Sequence, residues 1–266
     1  RMHAVLSQND VGWRLALRVV TSLFAVWLVV GLLLAYAVLG ATLQELMAGA
    51  SDVLAFGSPG WVFAIQMLFR NVWLWALFGW MAVVVSLFVA DTSRPPFSLL
   101  LSAFGLVAVP AACTALMAAQ GRGVAYLLSL LGIVWAADIG AYFFGRAIGG
   151  RKLAPRISPG KTLSGALGGM ATAIAWVWLS SLFNEPGPHG HATFGAHLIA
   201  VWSLPKALAL TALLAWLSVA GDLFESLLKR RAGRKDSSQL LPGHGGVLDR
   251  IDAVLPVAPL AMLLVS

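Results

Sequence analysis

The stretch Val124–Gly145, VAYLLSLLGIVWAADIGAYFFG, decides the architecture of this chain. A helix rises ~1.5 Å per residue and a bilayer core is ~30 Å thick, so about 20 apolar residues suffice to cross it. This run reaches that length with one charged residue, Asp138. The same reading repeats on both sides. Spans are expected near 17–40, 72–90, 97–119, 124–145, 163–183, 206–228 and 247–266, while 61–69 is too short to cross and reads as interfacial or re-entrant. The expected fold class is all-α, a polytopic integral membrane helical bundle of about seven spans with a cytoplasmic N-terminus. It forms a single membrane domain, 1–266, with N-terminal spans in 1–119 and catalytic spans and cytoplasmic loops in 120–266.

Composition supports this reading. The chain is 59% hydrophobic and 11% charged, which leaves too little polar surface for a soluble domain of this length. The first apolar run follows Arg14 and Arg18 and is too long for a signal sequence, so a retained anchor is expected. Cys113 is the single cysteine and rules out an internal disulfide framework. The net charge of +7 falls in loops beside apolar runs, which suits lipid headgroups or phosphates and argues against nucleic acid. With the N-terminus inside, the regions 1–16, 91–96, 146–162 and 229–246, plus Arg18 and Arg250, hold 15 of the 18 Lys and Arg. That is the positive-inside pattern, and it puts two cationic loops on one face.

Within this frame a few residues carry chemistry. Asp138 lies ~10 Å inside its span, where a carboxylate costs ~3 kcal/mol or more unless a polar cavity or partner receives it. Tyr142 and Arg146 follow at steps of four. Asp222, Glu225, Ser226 and Lys229 share one face at the end of the sixth span, where acids oppose the helix dipole and so call for another explanation. Asp249 and Asp252 share a face at the start of the seventh, where helix capping is the competing reading. Carboxylates so placed suit Mg²⁺, a hard cation that shares its shell with substrate phosphates. Gly243, Gly245 and Gly246 surround His244 beside a cationic run, Lys229, Arg230, Arg231, Arg234 and Lys235, and suggest a phosphate cradle. In the companion loop, 146–162, Lys161 with Ser158 and Thr162 offers phosphate contacts; Pro155 stands where a P-loop needs glycine, and the prolines deny a strand–loop–helix context. His189, His191 and His197 read as part of a solvated outer loop.

The run 226–252, SLLKRRAGRKDSSQLLPGHGGVLDRID, resembles the C-terminal signature of phosphatidate cytidylyltransferases, and 138–162 and 221–226 resemble that family's central block and the segment before the signature. The resemblance implies transfer of CMP from CTP to phosphatidic acid in phospholipid synthesis, with Mg²⁺ and room for a second cation. It implies Asp222 and Asp249 as metal ligands, with Asp138, Glu225 and Asp252 completing or orienting the shell. Lys161, Ser158, Thr162, Lys229, Arg230, Lys235, His244, Gly245, Gly246 and Arg250 would then hold the phosphates. The expected partners are CTP, phosphatidic acid and the bilayer of the cell's inner membrane, with the site facing the cytoplasm and a homodimer as the open oligomeric option. One departure stands out: the family carries Glu after the residue that follows its Lys-Thr, and this chain has Ser164, with Asp138 as the expected compensator. A CTP-dependent lipid kinase or a non-catalytic transporter are the alternatives, distinguished by product.

Overall fold

The structure, a computed structural model, describes residues 59–88, 99–183, 192–234, 236–238 and 246–266. The chain divides into two compact units, Arg1–Val89 and Ala90–Ser266. In the first, helix α1 (Pro59–Phe88) runs unbroken through the segment expected to be re-entrant, so 61–69 is the beginning of a long helix. The expected span at 17–40 lies outside the described residues.

The second unit is built from α2 (Leu99–Gly121), α3 (Val124–Ile148), a hairpin of β1 (Lys152–Ala154) and β2 (Ser158–Thr162), α4 (Leu163–Ser181), α5 (Phe194–Trp202), α6 (Leu204–Arg231), α7 (Leu248–Ile251) and α8 (Val254–Leu264). Among the described residues five helices, α1, α2, α3, α4 and α6, are long and apolar enough to cross a membrane. The stretch expected as the last span is the turn α7 followed by α8, whose 11 residues fall short of a crossing by themselves. Val254 through Met262 are buried without a break, as befits a helix that is apolar all round and enclosed by its neighbours. It packs against α2 and α6.

The most extensive packing joins α3 to α4, and glycine makes it possible. A Cβ on Gly169 would stand 2.6 Å from the Ala137 carbonyl oxygen, and one on Gly165 would stand 2.8 Å from that of Ala141. Backbones this close are typical of small-residue contacts between membrane helices. Polar groups then pair across the seam: the Thr172 hydroxyl donates to the Ala136 carbonyl at 2.8 Å and the Trp176 indole to that of Ser129 at 2.9 Å.

The hairpin departs from a purely helical expectation. β1 and β2 pair antiparallel, Lys152 opposite Thr162 and Ala154 opposite Ser158, with an irregularity between. β2 runs directly into α4, and Thr162 caps that helix by accepting from the Gly165 N–H at 3.1 Å. A strand thus does precede a helix here. Gly160 and Lys161 nevertheless lie in the strand itself, with no loop to wrap a phosphate, so the P-loop reading fails for a different reason. At the opposite end of α3, His197 is not a solvated loop residue: it lies half-buried on α5, its Nδ1 2.9 Å from the Tyr126 hydroxyl and 3.1 Å from Arg122.

Candidate active site

Three elements converge where α3 ends. Gly145 of α3 and Gly165 of α4 press together around the Thr162 hydroxyl, which fixes the hairpin at the mouth of the α3–α4 seam. The chain turns back at Gly149 and Gly150, both with positive φ (64° and 97°), a backbone only glycine adopts without strain. Ile157, at the hairpin turn, is buried, and Arg230 of α6 donates from Nε to its carbonyl at 3.4 Å. The hairpin is thereby held across the end of α6.

Between these parts opens a cleft of about 510 Å³. Asp138, Tyr142 and Arg146 line it from α3, Lys152, Gly160, Lys161 and Thr162 from the hairpin, and Asp222 from α6. The first turn of α4, through Gly165 and Ala166, forms part of the wall, so a helix N-terminus adjoins the cleft. Asp138 thus meets the polar cavity that a carboxylate inside a span requires, and Lys161 forms an ion pair with Asp222 across it. Arg146 donates to the Tyr142 hydroxyl at 2.8 Å.

Behind Asp222 the acids gather. Oxygens of Asp222, Glu225 and Asp252 lie within 4.8 Å of one another. Gly221 lets α6 approach so closely that the start of α8 brings Asp252 to this group. Glu225 is 4% exposed, pairs with Lys229, and leaves its Oε1 without a hydrogen-bond partner. A buried carboxylate oxygen with nothing to bond is costly unless a ligand satisfies it. Three hard oxygen donors, one of them orphaned, fit a divalent cation of the Mg²⁺ type. Burial, and then the neighbouring Asp222 charge, raise the Asp252 carboxyl to about 6, against the opposing hydrogen bond from the Ala253 N–H at 2.7 Å.

Asp249 stands beside this group rather than in it. One oxygen takes Lys229 at 2.7 Å; the other accepts from the Ser237 N–H at 3.0 Å, the Ser237 hydroxyl at 2.7 Å and the Gly246 N–H at 2.7 Å. Burial alone would raise this carboxyl, but the neighbouring Glu225 carboxyl and the hydrogen bonds from Lys229, Ser237 and Gly246 hold it well below the usual range. The Gly246 N–H is therefore committed to Asp249, and the Thr162 hydroxyl accepts at the α4 cap while lining the cleft. Arg230 holds the hairpin, and Ser158 and Ser164 are not among the residues that line the cleft. The Ser164 hydroxyl donates to the Gly149 carbonyl. Arg250 is exposed on α7, while Lys235, His244 and Gly245 lie outside the described residues. The sequence reading missed Lys152 and the α4 N-terminus as parts of the cleft. The helix start at 163 was legible and Lys152 stood in the resembling block 138–162, but only the folded hairpin turns both toward one cleft.

The comparisons with known proteins bear on this geometry. The sequence profile of the cytidylyltransferase family matches residues 10–266. A phosphatidate cytidylyltransferase of Brucella suis biovar 1 is 47% identical over 142 residues, covering 53% of this chain and 47% of that protein. One of Haemophilus influenzae is 45% identical over 138 residues, 52% of this chain and 44% of that protein. One of Staphylococcus haemolyticus is 36% identical over 197 residues, 73% of this chain and 70% of that protein. In the first two of these the matched chain spans about half of the relative's length. The profile covers both the cleft and the acids behind it, and the chain belongs to the cytidylyltransferase family.

Proposed function

We propose that this chain transfers CMP from CTP to phosphatidic acid, giving CDP-diacylglycerol and pyrophosphate. The observation that carries the reading is one cleft in which Lys161, Lys152 and Arg146 face Asp138 and Asp222, with the buried Glu225 and half-buried Asp252 directly behind. A phosphate-binding surface and a set of cation ligands meet there, between helices long and apolar enough for a bilayer. The names of the relatives fit the same chemistry.

In the reaction, an oxygen of the phosphatidic acid phosphate attacks the α-phosphorus of CTP. The new P–O bond forms as the bond from that phosphorus to the α,β-bridging oxygen breaks, and pyrophosphate leaves with the electron pair. The attacking oxygen is already ionised near neutral pH, so no strong base is required. What the site must supply is alignment and charge neutralisation of two anions. Lys161, Lys152 and Arg146 neutralise phosphate oxygens, and the first turn of α4 adds the favourable end of its dipole. Asp222, Glu225 and Asp252 would hold a divalent cation, with Asp249 beside them fixing Lys229 and the Ser237–Gly246 segment; such a cation would supply Lewis-acid neutralisation of the triphosphate. Asp138 orients the groups on the opposite wall. The site faces the cytoplasm of a bacterial inner membrane, where CTP is available, and the positive-inside loops support that orientation.

The test is turnover by the purified chain in detergent micelles containing phosphatidic acid, with CTP labelled in the α-phosphate. The expected result is labelled CDP-lipid and pyrophosphate in equal amounts, dependent on added Mg²⁺. Appearance of a phosphorylated alcohol, or no product at any Mg²⁺ concentration, overturns the reading.

A further inference from the structure

The acids behind the cleft are not bare. Lys161 sits on the Asp222 carboxylate, and Lys229 bridges Glu225 and Asp249. These are the same carboxylates that the cation reading requires. Asp222 has one oxygen on Lys161 and its other 3.3 Å from the Ser226 hydroxyl, so Lys161 occupies it from the cleft side. An ammonium group and a divalent cation cannot both hold that oxygen at bonding distance without strong like-charge repulsion. Lys161 has somewhere else to go: it is part of the cleft wall, 25% exposed, on a four-carbon stem beside Lys152 and glycine-lined space.

We propose that Lys161 is an exchangeable counter-ion: it holds Asp222 in the absence of a divalent cation, and is released into the cleft, toward the nucleotide phosphates, when Asp222 takes one. This rests on the proposed function and adds an order to it. Cation binding and phosphate binding are coupled through one side chain. The cleft gains its full positive charge only once the acids are filled, so anionic nucleotide is disfavoured while the acids are not. By reciprocity, phosphates that draw Lys161 away from Asp222 tighten cation binding by the same factor. Lys229 is the second ammonium of this arrangement and is held by two carboxylates at once, which makes Lys161 the first to leave.

The experiment follows Mn²⁺ binding to the full chain in detergent, without nucleotide, by electron paramagnetic resonance. Lys161→Met should tighten Mn²⁺ about tenfold, a coupling of ordinary size. Lys152→Met, which removes a nearby cation that pairs with no acid among the described residues, should change it much less. In the wild-type chain, Mn²⁺ should also speed acylation of Lys161 by an amine-reactive reagent, read by mass spectrometry, because a side chain drawn off Asp222 into the open cleft is more accessible to the reagent. Equal shifts for the two lysine variants, or acylation that Mn²⁺ leaves unchanged or slows, would overturn the exchange. The acylation measurement needs no variant and stands even where Lys161→Met fails to fold. Wild-type protein that binds no Mn²⁺ overturns the cation site along with the exchange. Wild-type protein that binds Mn²⁺ and turns over CTP, yet shows no release of Lys161, removes the exchange alone.

Discussion

Gly221 and Asp252 meet backbone to backbone: a Cβ at position 221 would lie 2.5 Å from the Asp252 carbonyl oxygen and 2.9 Å from Cγ of Pro256. The contact sets how closely the start of α8 approaches α6, and therefore whether Asp252 reaches Asp222 and Glu225.

Gly221→Ala is accordingly expected to push these helices apart. Overpacking of this kind costs about 1–3 kcal/mol. Thermal unfolding in detergent should show a lower midpoint, and CTP turnover should fall further than stability alone explains, because the acid group is spread. Gly105→Ala on α2, where nothing lies within 4 Å, is the control and should be neutral or mildly stabilising.

Asp222→Asn and Asp249→Asn should each reduce turnover by roughly 100-fold or more, the scale on which metal sites respond to their ligands and supporting groups. The two should differ in how they fail. Asp222→Asn should lose Mn²⁺ binding with the fold intact. Asp249→Asn should in addition loosen the tie from Ser237 to Gly246, and limited proteolysis should cut between those positions faster than in the wild type.

Much of this site could be read from the sequence, for a physical reason. Charges inside apolar segments are expensive, so Asp138, Asp222, Glu225, Lys229 and Asp252 stood out at helical spacing, and the structure brings Asp222, Glu225 and Asp252 together. Five of the expected spans were legible through length and apolarity alone. What stayed hidden depends on pairing between distant segments. Asp249 and Asp252 look equivalent three residues apart, yet one ties a loop and the other joins the acid group. Arg230 ties the Ile157 carbonyl through Nε and Thr162 accepts at the α4 cap, contacts that no local pattern announces. The hairpin was obscured by Pro155 and Pro159, which flank its turn without interrupting the paired residues Lys152 and Thr162.

Proton and cation should compete at Asp252. Its carboxyl titrates near 6, raised above the ordinary value, so below that pH the proton is held and the oxygen is unavailable. Mn²⁺ affinity of the wild-type chain should therefore fall as pH drops from 7 to 5, while Asp252→Asn should start weaker and vary less over that window. A Mn²⁺ titration at each pH measures both.

Arg156 in the hairpin turn and Arg234 beyond α6 should lie on one side of the membrane, since Arg230 and Lys161 fasten the hairpin to the end of α6. Single cysteines at 156 and 234, with Cys113 replaced, should label from the same side of oriented vesicles. Labelling from opposite sides would break the arrangement of the cleft.

Ser164→Ala should cost about 1 kcal/mol through the freed Gly149 carbonyl. Because the side chain at 164 turns toward that carbonyl rather than lining the cleft with Asp138, Ser164→Glu should not rescue Asp138→Asn. A double-mutant cycle on turnover should show coupling below about 0.5 kcal/mol.

The α3–α4 seam has a consequence for how this sequence can vary. Where Gly165 and Gly169 abut carbonyl oxygens, no side chain of any chemistry fits, so the positions are closed to polar and apolar substitutes alike. Two residues from each, Leu167 is exposed on the outer face of the same helix and needs only to be compatible with lipid. A saturation library scored for CTP-dependent growth should therefore show a sharp comb along α4: columns that admit a single amino acid beside columns that admit almost any greasy one. The closed columns would mark the joint that holds the hairpin in place, and at Gly169 they would do so away from the cleft altogether.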